Sequence, residues 1–184
     1  MSEKMSNAPV YYALAQAQFN PVAAMAKYVD DVQDILRRKG YTLFEPQEVT
    51  QLQFTATSGG APAEPKVIQM HTWLITKADR SSGFILSQSS LTYHTTHYET
   101  HNEFIPELLR GLEAVHEVVK LDHLSRLGLR YLDAVLPSTN ESVNQYLAGG
   151  LHGVEFGSTQ RYALSESVFN TKSGPLLSQG TLVT

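Results

Sequence analysis

The chain has 184 residues, of which 42% are hydrophobic and 17% are charged, so it can bury the core of one domain, or of one domain plus part of a second. Fourteen basic and 18 acidic residues give a net charge of -4, which excludes a general electrostatic attraction to nucleic acid or anionic lipid. The chain contains no cysteine, and this excludes disulfides, thiolate metal sites and thiol nucleophiles.

The beginning of the chain, MSEKMSNAP, lacks the apolar run of a secretory signal, and no stretch has the length of a membrane span. We therefore predict a cytoplasmic protein that does not bind membranes. The predicted elements, in chain order, are a strand at 10–19, a helix from 20 to 40, an extended run at 41–54, a loop at 58–65, strands at 67–77 and 83–95, a helix at 102–121, a strand at 124–136, a short helix at 138–147, and strands at 160–169 and 176–184.

Capping and breaking residues set several of these boundaries. Asn20-Pro21 is expected to open the first helix, and Pro46 indicates that the extended run is an edge strand or a bend. Thr100 with Glu103 matches a capping box for the second helix, and Ser138 with Glu141 matches one for the short helix.

Strands joined mostly by turns, with two helices between them, predict an α+β fold. We expect an antiparallel sheet covered on one face by two long amphipathic helices, with the start of a second smaller unit. The corresponding division is a flexible terminus at 1–8, an α+β domain at 9–137, and a short helix with a β-hairpin at 138–184. The chain stops inside GTLVT, a run typical of the middle of a strand, so the second unit is expected to be truncated.

The stretch Arg126-Leu-Gly-Leu-Arg-Tyr131 follows Tyr98, Phe104 and a strand that contains Trp73. In this arrangement the chain resembles an uncharacterised, sporadically distributed bacterial protein family with an R-x-G-L-R-Y-I-N motif. The resemblance covers roughly residues 8–160, and the chain departs from the motif at Leu132 and Asp133. It implies a fold but no mechanism, and the patchy occurrence of the family suggests a mobile or defence-related gene cluster.

Three imidazoles and a carboxylate lie within nine residues, as His94, His97, Glu99 and His101. These are ligand types for zinc or iron. On a strand, however, His94 and His97 point to opposite faces, and only a turn between them brings both to one metal. The alternative is a polar strand end that leads into a helix. We assign no metal site and no cofactor, and keep the cluster as the basis of an alternative function.

Arg126 and Arg130 lie on one face of a predicted strand, about 13 Å apart, with Gly128 between them. Two guanidinium groups beside an open backbone suit phosphate, nucleic acid or an acidic peptide. They are the predicted ligand-binding residues. The alternative is that both arginines pair with acidic residues on a neighbouring strand.

The sequence contains no Gly-x-Ser-x-Gly elbow and no phosphate-binding glycine loop. No catalytic residue is assigned. The leading hypothesis is a non-enzymatic binding or assembly module with a protein partner, or a homo-oligomer formed through exposed strand edges. The alternatives are a metal-dependent hydrolase or nuclease that uses His94, His97 and His101, and a nucleic-acid-binding protein that uses Arg126 and Arg130.

Overall fold

The computed structural model describes residues 9–53, 66–142, 145–146, 162–172 and 174–183. Contacts divide the chain into two compact units, Met1–Ala134 and Val135–Thr184. The elements are β1 (Val10–Phe19), α1 (Met25–Arg38), β2 (Leu43–Gln53), β3 (Lys66–Thr76), β4 (Ser82–Leu86), β5 (Ser90–Thr95), α2 (His101–Val119), β6 (Leu124–Asp133), β7 (Tyr162–Thr171) and β8 (Gly174–Val183).

The first unit is an α+β domain on a six-stranded sheet, which confirms the predicted fold class. The strand order is β2-β3-β4-β5-β1-β6, and every pair of neighbours is antiparallel. The first strand of the chain therefore lies between β5 and β6, while β2 and β6 form the two edges. Pro46 lies in β2, so the prediction of an edge strand at this proline is confirmed.

The predicted strand at 83–95 is wrong in one respect, because it is two strands joined by a tight turn. The Ser87 hydroxyl oxygen accepts hydrogen bonds from the backbone N–H groups of Ser89 (3.2 Å) and Ser90 (3.0 Å). The backbone N–H groups of the turn are thus satisfied by a side chain of the same turn. The chain reverses there, and β4 pairs with β5 as a hairpin.

The first helix begins later than predicted, at Met25, and its N-cap residue Ala24 makes no side-chain capping bond. Asn20-Pro21 therefore ends β1 without opening α1. The backbone N–H of Val22 donates to the carbonyl of Gln88 at 2.8 Å. This segment is tied to the β4–β5 turn, and the helix starts only after it.

The second helix begins at His101 after the N-cap residue Thr100, but the predicted capping box does not form. The Thr100 side chain makes no capping bond, and the Glu103 N–H donates to the Thr100 backbone oxygen instead, at 3.2 Å. Pro106 lies early enough in the helix to be accommodated. The helix ends where Lys120 adopts a left-handed conformation, with φ of 59°.

The hydrophobic core combines buried residues of β1, β3, β4 and β5 with buried residues of both helices. Small residues on β1 allow close packing, since Ala13, Ala15 and Ala17 are all fully buried. On α2, Gly111 approaches the aromatic ring of Phe84 so closely that a Cβ atom there would overlap it. The contact between a helical glycine and an aromatic ring sets the height of α2 above the sheet.

The second unit contains a two-stranded antiparallel sheet formed by β7 and β8. The predicted hairpin is thus confirmed. The short helix predicted at 138–147 is not present as an α-helix among residues 138–142, 145 and 146. Half of its capping box forms, because the Ser138 N–H donates to the Glu141 carboxylate at 3.1 Å. The predicted loop at 58–65 lies outside the described residues.

Within the described ranges, neither helix combines the length and apolar character that crossing a membrane requires.

We predict that Gly111→Ala destabilises the first unit by about 1–3 kcal/mol in urea denaturation. Alanine raises helix propensity by about 1 kcal/mol, but its methyl group forces α2 away from Phe84. Gly128→Ala is the control, because a Cβ atom there meets open space. Equal stability of the Gly111→Ala variant and the parent chain would contradict the close packing of α2.

Candidate functional site

The last strand of the first unit, β6, carries three apolar residues on the same sheet face as the buried alanines of β1. Leu127, Leu129 and Tyr131 lie opposite the buried alanines of β1, at Ala17, Ala15 and Ala13 respectively. The exposed fractions are 57% for Leu127, 49% for Leu129 and 40% for Tyr131. An apolar stripe at a sheet edge thus faces solvent.

Leu127 and Leu129 are exposed because the helices make their main sheet contacts with other strands. Contacts join α2 to β5 and β1, and α1 to β3. The exposure of two leucines can be compared directly at Ala17, which pairs with Leu91 of β5 on one side and with Leu127 of β6 on the other. Leu91 is fully buried, whereas more than half of Leu127 is exposed. The boundary of the core therefore falls between β1 and β6.

Some backbone groups of β6 have no partner strand in the described part of the chain, and the hydrogen-bond ladder shows which ones. In an antiparallel sheet, the N–H and C=O of successive residues point alternately to the two neighbouring strands. The Ala134 N–H donates to the carbonyl of Pro9 at 2.9 Å, so the even-numbered residues of β6 bond to β1. The odd-numbered residues Leu127, Leu129 and Tyr131 consequently direct both backbone groups away from the sheet.

A second hydrogen bond supports this assignment from β1. The Phe19 N–H donates to the carbonyl of Ser89 at 2.9 Å, on the β5 side. The odd-numbered residues of β1 thus bond to β5, and its even-numbered residues bond to β6. Among the residues that the structure describes, β6 has no second neighbouring strand.

The opposite face of β6 carries the two predicted ligand-binding arginines. Arg126 and Arg130 are exposed, and Gly128 between them has open space where a side chain would begin. Their cross-strand neighbours on β1 are Gln18 and Leu14. The alternative in which each arginine faces an acidic residue across the strand is therefore wrong, and neither arginine forms an ion pair within the described ranges.

An aromatic cluster holds β6 to the start of α2. The ring of Tyr131 lies 5.0 Å from that of Tyr98 and 6.4 Å from that of Phe104, measured between centroids. Burial, followed by the hydrogen bond with Tyr98, raises the pKa of Tyr131 to about 12. These three residues are among those that carry the family resemblance, and the structure places them in contact.

We call this combination the β6 surface. It consists of an open backbone edge, an apolar face and a basic face, and its residues are Arg126, Leu127, Gly128, Leu129, Arg130 and Tyr131. Sequence reasoning found the two arginines but did not assign the leucines to a site. Alternation of apolar and polar residues shows which side chains share a face of a strand. It does not show whether other parts of the protein cover that face.

The histidines do not form a comparable site. His94 is buried in β5, where its ring stacks on Tyr12 at 5.6 Å between centroids, and both of its nitrogens lack a hydrogen-bond partner among the described residues. Burial lowers the pKa of His94, which favours the neutral imidazole.

The other two histidines are exposed, His97 beyond the end of β5 and His101 as the first residue of α2. The Nδ1 atom of His97 lies 3.1 Å from the Thr96 hydroxyl, within hydrogen-bond distance. In the described part of the chain, no three histidine or acidic side chains are grouped so that they could hold a metal ion.

Comparisons with protein-family models, curated proteins and solved structures found no match to this chain.

We predict that the two leucines beside Ala17 differ sharply in their contribution to stability. Leu91→Ala removes a fully buried side chain and is expected to lower the free energy of unfolding by about 2–5 kcal/mol. Leu127→Ala truncates a side chain that is mostly in water, and we expect a loss within about 0.5 kcal/mol. Urea denaturation of both variants provides the measurement. A comparable loss for Leu127→Ala would show that the stripe belongs to the core.

Proposed function

We propose that this chain is a non-enzymatic binding or assembly module and that the β6 surface receives an extended segment of a protein partner. One observation carries the proposal. An edge strand presents three apolar side chains that are 40–57% exposed, and their backbone groups have no partner strand among the described residues. An added strand satisfies the backbone through main-chain hydrogen bonds and covers the side chains at alternate positions.

The other edge of the sheet supports this choice by contrast. Directly after β3, the Lys77 N–H donates to the carbonyl of Ser82. The backbone groups of the odd-numbered residues of β3 therefore bond to β4, and those of its even-numbered residues bond to β2. Leu43 lies opposite Thr76, so the odd-numbered residues of β2 bond to β3. The backbone groups of the even-numbered residues of β2 therefore point away from the sheet. Pro46 is one of them and has no N–H to offer, as is typical of a protected edge.

Nucleic acid is a weaker candidate for the same surface. The basic face has two arginines, and their neighbours on β1 are a glutamine and a leucine. Nucleic-acid affinity depends on several phosphate contacts by lysine or arginine, and the net charge of the chain is -4. A protein segment uses both the apolar face and the backbone edge, which a phosphate backbone leaves unsatisfied.

The family resemblance forms part of this proposal. The stretch that carries it, Arg126 to Tyr131, is the central part of β6. Membership of that bacterial family would place the exposed strand in the motif itself, and we propose a cytoplasmic location and a mobile or defence-related gene cluster on the same basis.

We also propose the finer features of the predicted fold. The helices would serve as an amphipathic cover for one sheet face, and α1 supports this because Met25, Val29, Val32 and Leu36 are buried at helical spacing. The β7–β8 hairpin would be the start of a second, smaller unit. Its support is that β7 and β8 form a sheet of their own.

Leu129→Pro tests the proposed docking edge. Proline removes the N–H of residue 129, which points away from β1, so the variant is expected to keep the parent circular dichroism spectrum. Peptides selected from a displayed random library on the full chain are expected to bind Leu129→Pro at least about tenfold more weakly than the parent, because a main-chain hydrogen bond is lost.

Leu129→Ala is the matched control, since it shortens the side chain but keeps the N–H. We expect its loss of affinity to be smaller than that of Leu129→Pro. Selected peptides that bind the proline variant as tightly as the parent would contradict the proposal. So would a single-stranded oligonucleotide that binds in low salt, loses affinity in Arg126→Ala with Arg130→Ala, and is indifferent to Leu129→Pro.

A further inference from the structure

We infer that the partner segment alternates acidic with apolar residues and pairs antiparallel to β6. This inference rests on the proposed function and adds the chemistry of the partner. Three features of the β6 surface carry it: the direction of each backbone group, the open space at Gly128, and the two arginines that have no acidic partner within the described residues.

The direction of the backbone groups fixes how an added strand would face β6. Leu127, Leu129 and Tyr131 direct their N–H and C=O outwards and would form the hydrogen-bonded pairs with the partner. Arg126, Gly128 and Arg130 would then occupy the non-hydrogen-bonded positions. At these positions the Cα atoms of facing residues approach to about 4.5 Å and side chains are closest. The basic face is therefore where side chains of the two strands would interact most strongly.

An acidic residue fits best opposite Gly128. A Cβ atom added to that glycine meets nothing within 4 Å, so the partner's side chain has room above the backbone. Arg126 and Arg130 lie two residues to either side, at the diagonal positions that long side chains reach across a strand pair. A carboxylate there can accept hydrogen bonds from both guanidinium groups.

The other face of the partner strand must be apolar. Successive side chains of a strand alternate between the two faces of a sheet, so the residues before and after that acidic residue would lie over Leu127 and Leu129. Burying those leucines requires apolar side chains. The smallest recognised unit is thus apolar, acidic, apolar, and each further acidic residue follows two positions along.

A second copy of this chain does not fit that description. If two copies of β6 pair about Gly128, each Arg126 faces the other copy's Arg130, and like charges directly opposite each other are destabilising. Pairing about Leu129 leaves the same arginines as diagonal neighbours. The β2 edge of another copy lacks an outward N–H at Pro46, so it is also a poor partner for β6. The charges and the edges together favour a different protein.

Three synthetic nine-residue peptides test the inference on the full chain. Their apolar residues at odd positions are identical, and their even positions carry Glu, Gln or Lys. Fluorescence anisotropy is expected to show the Glu peptide binding about tenfold more tightly than the Gln peptide at low salt, with the Lys peptide weakest. The ratio of Glu to Gln affinity is expected to fall towards one as salt screens the charges.

Paired charge variants locate the preference. Arg126→Gln with Arg130→Gln is expected to abolish the difference in affinity between the Glu and Gln peptides. Arg37→Gln with Arg38→Gln, two exposed positions at the end of α1, is the matched control and is expected to retain the preference. Equal affinity for the Glu and Gln peptides, or tighter binding of the Lys peptide, would overturn the inference.

The outcomes separate this inference from the proposed function. Binding that is weakened by Leu129→Pro but shows no Glu preference overturns the acidic pattern and retains β6 as the docking edge. Binding that is unaffected by Leu129→Pro overturns both. Failure of all three peptides to bind overturns the acidic pattern, while the library selection still decides the docking edge. Self-association of the parent chain that is abolished by Leu129→Pro would assign the surface to a second copy.

Discussion

The hydrogen-bond ladder of an antiparallel sheet is the constraint on which this account depends. Each residue directs its N–H and C=O to one neighbouring strand only, and the next residue directs them to the other. Because β1 lies between β5 and β6, its odd-numbered residues bond to one and its even-numbered residues to the other. The same rule leaves the odd-numbered residues of β6, which carry the apolar side chains, with their backbone groups at the open edge.

Packing of the helices adds the second condition. The sheet is six strands wide, and the main helix contacts are those of α2 with β5 and β1 and of α1 with β3. The close approach of Gly111 to Phe84 fixes α2 near the sheet, and Tyr98 and Phe104 reach from its start to Tyr131. Beyond that aromatic cluster, Leu127 and Leu129 have the pattern of core residues but the exposure of a surface. This mismatch between pattern and exposure supports the proposal that β6 is a binding strand.

The sequence predicted the elements better than it predicted their surroundings. The limits of β1 were predicted exactly, because Asn20-Pro21 breaks the strand directly after Phe19. An edge strand was one of the two structures that Pro46 indicated, and β2 is an edge strand. The turn at Ser87 was missed because serine hydroxyls bond locally without a glycine or proline to mark them. The predicted start of the first helix was too early. The segment before Met25 is tied to the β4–β5 turn, where the Val22 N–H donates to the carbonyl of Gln88, and this contact is not visible in the local sequence.

Sequence reasoning reached the candidate site only in part, for a related reason. The two arginines were recognisable because their charges share one face of a strand. The exposure of Leu127 and Leu129 depends on where α2 lies, and that position is fixed by Gly111 and Phe84, which are far from β6 in sequence. Histidine spacing likewise indicated a cluster, whereas the structure buries His94 and leaves His97 and His101 exposed.

Amide hydrogen exchange along β6, followed residue by residue by NMR, tests whether the strand is an open edge. We predict slow exchange at Arg126, Gly128 and Arg130, which bond to β1, and fast exchange at Leu127, Leu129 and Tyr131. Saturation with the Glu peptide should then slow the odd-numbered amides selectively. Uniform protection in the free chain, or no gain at the odd-numbered amides on saturation, would contradict the assignment of β6 as an open docking edge.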